Sequence, residues 1–98
     1  MMKREDFVFT IGFEGNTAVV DSRSRKRYRS LSTLELVEKG LYRQAFCSAL
    51  YSADAQEMEQ LLSYMREHTS FDASSEIALK RLFGVFEVPE GITRTLAV

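Results

Sequence analysis

The sequence has one cysteine, one proline, one histidine and no tryptophan in 98 residues, and each shortage closes off a class of protein. A lone thiol, Cys47, builds no disulfide framework within the chain and no cysteine-based zinc site. One proline and five glycines leave no room for collagen-like or low-complexity character. The basic start Lys3-Arg4 runs directly into Glu5-Asp6, so no apolar core of a secretory signal follows it, and no apolar run approaches the length of a spanning helix. These absences predict a cytoplasmic protein with no membrane partner.

What is present suits a single small globular domain over residues 1–98. With 45% hydrophobic and 28% charged residues, the chain is long enough to bury one core and too short for two. Net charge is −1, but it is unevenly placed. Residues 1–30 carry seven Lys/Arg against four Asp/Glu, whereas residues 31–98 carry six against ten. The chain is therefore polar from end to end, which bears on steering and association more than on fold.

Phe7, Phe9, Ile11 and Phe13 alternate with other residues, which predicts a strand with these four on its buried face. Glu14-Gly15-Asn16-Thr17 reads as a hairpin turn, and Thr17–Asp21 as the returning strand. Arg27-Tyr28-Arg29-Ser30 extends the pattern as a third strand, with Tyr28 inward. Beyond it, Leu31-Ser32-Thr33-Leu34-Glu35-Leu36 holds a capping box of Ser32 with Glu35 and a staple of Leu31 with Leu36, so a helix starts there.

Gly40 either ends or bends that helix. Leu41, Tyr42, Ala45, Phe46, Ala49, Leu50 and Ala53 recur at helical spacing, leaving Arg43, Gln44, Ser48 and Ser52 on the polar side. Asp54 and Glu57 cap a further helix striped by Met58, Leu61, Leu62 and Met65. Glu76–Phe83 forms another, stopped by Gly84. Residues 85–88 and 92–98 are β-prone on either side of Pro89-Glu90-Gly91. The expected class is α+β: an N-terminal antiparallel β-hairpin or small sheet packed against about three α-helices, with a carboxyl-terminal strand able to join the sheet.

Two surfaces qualify as candidate sites. Arg23, Arg25, Lys26, Arg27 and Arg29, with Tyr28 among them, have the composition of a segment that tracks phosphates and stacks on a base. The competing reading is a solvated connection whose cations stay wet. No helix-turn-helix, zinc-finger spacing or RNP motif accompanies the run. Tyr51 and Tyr64 exceed what one narrow apolar stripe requires on their helices, and so mark a candidate interface with a protein partner or a second copy.

The remaining reactive groups read as structural. His68 falls in the last turn of its helix, where a cation is favoured, and Cys47 sits among apolar neighbours as a small hydrophobe. Glu57 and Glu59 lie on different helix faces, while Glu35 and Glu38 are ordinary surface charge. No set of nucleophile, base and oxyanion donor emerges, so no catalytic, cofactor or metal residue is assigned. The expected function is a non-enzymatic protein-interaction or oligomerisation module, with a homodimer as its simplest form. The alternative is nucleic-acid binding through residues 23–29.

Overall fold

Phe7, Val8 and Phe9 are buried in succession, which a strand with one covered face cannot achieve. In the computed structural model, which describes residues 2–98, a short helix, α1 (Arg4–Val8), carries Phe7 and Val8 into the core, with Phe9 as its C-cap. The first strand, β1 (Thr10–Glu14), therefore starts later than the alternation from Phe7 predicts. Its pairing slips between Thr10 and Gly12, which leaves Ile11 as the extra, unpaired residue of a bulge, while Phe13 returns to the inner face opposite Ala18 at the far end of the strand. Ile11 and Phe13, expected inside with Phe7 and Phe9, are 63% and 45% exposed.

The hairpin forms where expected. Glu14 pairs with Thr17 of β2 (Thr17–Val20) across a loop of Gly15 and Asn16. Gly15 has φ +57°, a conformation that tight hairpin loops require and glycine adopts at no steric cost. Ala18 and Val20 turn into the core, fully buried.

Residues 27–30 do not form a third strand. Ser22–Tyr28 is instead a helix, α2, because Asp21 supplies an N-cap: its carboxylate accepts from the Ser24 N–H at 3.2 Å and the Ser24 hydroxyl at 2.9 Å. Arg25, Lys26 and Arg27 occupy the last turn, where positive charge meets the negative end of the helix dipole. Tyr28 does turn inward, half-buried against the core, but from a helix.

The capping box forms as expected. The Ser32 hydroxyl accepts from the Glu35 N–H at 3.2 Å, and the Glu35 carboxylate accepts from the Ser32 N–H at 3.0 Å. They begin α3 (Thr33–Glu38), and Gly40, at φ +80°, separates it from α4 (Tyr42–Ser52). Ala53 makes the corner in the left-handed region, φ 55°, before Asp54 caps α5 (Ala55–His68). Ser75 caps α6 (Glu76–Phe83), which Gly84 ends. Among the described residues six helices thus stand where about three were expected: α1 and α2 are additional, and Gly40 divides the long middle segment.

Residues 85–88 form no strand, yet Val85 and Val88 pack against the core. The carboxyl-terminal strand does form, as β3 (Arg94–Ala97), lying parallel to β2 with Thr17 opposite Arg94 and Val19 opposite Leu96. The sheet order is β1-β2-β3. The sheet meets the helices chiefly where α1 lies against β2, and Phe46, Leu36, Leu61, Met65 and Leu79, all fully buried, form the helical part of the same core. The fold is α+β.

Candidate functional site

The basic run divides into inward and outward members. Arg25 turns back to Asp6, with a guanidinium nitrogen 2.7 Å from the carboxylate and both side chains partly buried. Arg23, Lys26, Arg27 and Arg29 are exposed. Positions 23, 26 and 27 are helix neighbours at i, i+3 and i+4, and Arg29 lies three beyond Lys26. Among the described residues no carboxylate forms an ion pair with any of these four. Arg27 lies over the Tyr28 ring, 5.3 Å from its centroid, so the one aromatic of the segment packs between the core and its own neighbour.

Polar links hold this helix, which buries no residue of its own. Arg4 of α1 donates to the Arg29 carbonyl at 3.2 Å, the Leu31 carbonyl at 2.7 Å and the Ser48 hydroxyl at 2.7 Å. Thr33 also donates to Ser48. That is why Ser48, expected on the polar side of its helix, is buried. At the other end of α2, the Ser22 N–H and hydroxyl both donate to the backbone oxygen of Val98. Asp21 is held below the usual carboxylate range, chiefly by the Ser24 backbone N–H and then by the Ser24 hydroxyl, with a minor contribution from the Arg23 charge. Lys3 is exposed and lines a depression of about 220 Å³ with Arg4, Glu5 and Arg29. The outward cations of α2 therefore continue onto the start of the chain.

Tyr51 and Tyr64 are not brought together. The Tyr51 hydroxyl donates to the Met2 carbonyl at 2.8 Å, and its ring packs on Phe7 at 6.2 Å; its surplus bulk is used within the chain. Tyr64 stacks on His68, one turn on, with ring centroids 4.2 Å apart. Together with Leu34, Glu59, Gln60 and Glu67 it lines an open groove of about 700 Å³.

Cys47 and His68 are likewise apart in environment. Cys47 is buried, and burial pushes its thiol up to about 11 despite the nearby Arg43 charge, so it stays protonated at neutral pH. His68 is exposed at the end of α5, beside Glu67. Glu57 accepts from Ser52 while Glu59 pairs with Arg66 at 2.8 Å. Among the described residues no three His, Cys, Asp or Glu side chains gather as metal ligands.

A second surface is one that sequence patterning does not single out. Leu96 of β3 pairs with Val19, placing both on the outer face of the sheet, beside Gly12 of β1. Leu96 is 51% exposed, Val98 60%, and every residue of β3 is open to solvent. Parallel strands are ordinarily covered on both faces. The available signal was Leu96 and Val98, apolar residues two apart within the β-prone segment 92–98. Comparison with known proteins returns no match to a protein family, a curated protein or a solved structure.

Proposed function

We propose that the protein is a non-enzymatic interaction module that self-associates through β3. The observation that carries this reading is the uncovered parallel strand: β3 pairs with β2 along one edge, leaves its other edge unpaired, and exposes Leu96 and Val98. A free strand edge is a row of backbone donors and acceptors whose simplest complement is a second copy of itself. Antiparallel pairing about a twofold axis at Leu96 sets Leu96 against Leu96 and Arg94 against Val98, so that like faces meet and the apolar patch doubles. The buried Cys47 thiol, protonated at neutral pH, adds support by removing the one strong nucleophile from service.

Sedimentation from micromolar to millimolar protein is expected to show a monomer–dimer equilibrium. Leu96→Arg should shift it at least tenfold toward monomer while leaving the circular dichroism spectrum intact. A monomer throughout that range is the result that sinks the reading.

A further inference from the structure

From the outward face of α2 we infer a docking surface for the phosphate backbone of a nucleic-acid duplex, bound without reading its sequence. The surface consists of Arg23, Lys26, Arg27 and Arg29, continued by Lys3 across the depression that Lys3 shares with Arg29. It stands on different residues from the self-association surface and does not require it.

Three features choose the partner. First, two of the three nearby acids are engaged elsewhere: Asp6 pairs with Arg25 and Asp21 caps the helix. Glu5, on the margin of the depression, is the one carboxylate lining it. With one carboxylate against five cations and, among the described residues, no ion pair to the four outward ones, the face keeps a net positive charge that attracts a polyanion. Second, the exposed residues of α2 are all cations. A protein partner calls for an apolar or aromatic centre to the contact, and a membrane-surface helix needs apolar side chains free to enter the lipid. On α2 the apolar body, Tyr28, is committed to the protein's own core. Phosphates need neither, and three of the four outward cations from 23 to 29 are arginines, whose planar fork matches a phosphate.

Third, duplex is favoured over single strand. Binding to unpaired bases uses aromatic platforms, and the Tyr28 ring is half-buried with Arg27 over it. The stacking role expected of Tyr28 from the sequence is thereby unsupported, as is any phosphate contact by Arg25, whose guanidinium is engaged. Without an element that enters a groove, base identity goes unread. DNA and RNA duplexes present the same backbone chemistry.

The test is fluorescence anisotropy with labelled 20-base-pair DNA and RNA duplexes, the matching single strands, and vesicles of phosphatidylcholine with phosphatidylserine. At roughly −0.9 per neutralised phosphate, five cations give a log–log salt slope of about −4.5, a loss of about 500-fold between 50 and 200 mM salt. Combined Arg23→Gln, Lys26→Gln, Arg27→Gln and Arg29→Gln should flatten the slope to about −0.9. Replacing the three arginines with lysine preserves the slope, and unchanged circular dichroism of either variant establishes that the helix persists. Preference for one duplex type identifies the source of the backbone. A flat salt response, equal or tighter binding of single strands, or binding of vesicles but not duplexes overturns the proposal.

Discussion

Helices α2 and α5 both begin at an aspartate cap, yet they are held in opposite ways. Helix α5 buries Met58, Leu61, Leu62 and Met65 against its neighbours, a stripe whose attraction is non-directional and scales with the apolar area removed from water. Helix α2 buries no residue and is tied by Arg4, the Arg25–Asp6 pair, the Asp21 cap and Ser22. Anchoring by polar contacts leaves its far side free of any packing duty. Four cations can therefore occupy that side without disturbing the core, which is what a charged working face requires.

The contrast can be broken most forcefully from the α5 side. Leu61→Ala removes a fully buried side chain and should cost about 2–5 kcal/mol in urea denaturation. A loss below about 1 kcal/mol would mean that α5 is not anchored by its stripe. On the α2 side, Arg4→Met strips three hydrogen bonds from one guanidinium and should cost about 1–3 kcal/mol. Hydrogen exchange should quicken in α2 more than in α5. Equal acceleration in both would erase the distinction between them.

The gentlest probe is acid. Asp21 and Glu35 are both held below the usual carboxylate range, Asp21 chiefly by the Ser24 N–H and Glu35 chiefly by the Ser32 N–H. Folding favours their charged forms, so their contribution is complete above the ordinary carboxylate range and is lost as pH falls through the depressed values. Amides in the first turns of α2 and α3 should lose protection in that window. Those around Leu61 and Leu62 should keep theirs until the whole chain unfolds.

How much of the fold is legible in the sequence follows from how far each interaction reaches. The caps at Ser32, Asp54 and Ser75 act over two or three residues, so the starts of α3, α5 and α6 are visible in short windows. Asp21 with Ser24 is the same kind of signal, legible at the same short range but masked by the density of arginines that follows it. What fixes that helix in place is distant: Asp6 is 19 residues from Arg25, and Arg4 is 25 from Arg29. The alternation through Phe7–Phe13 misleads because it spans a helix end and a bulge, neither of which preserves a period of two. Leu96 reads correctly as strand, but its partner Val19 lies at the other end of the chain.

The pairing of the last strand also carries a timetable. Asn16 at the hairpin tip and Thr93 before β3 are hydrogen-bonded across 77 residues, so the sheet closes only after every helix has been synthesised. At translation speeds of roughly 5–20 residues per second, about 4–15 s separate the emergence of the two segments. Throughout that interval a nascent chain carries the finished hairpin with one edge of β2 still unpaired.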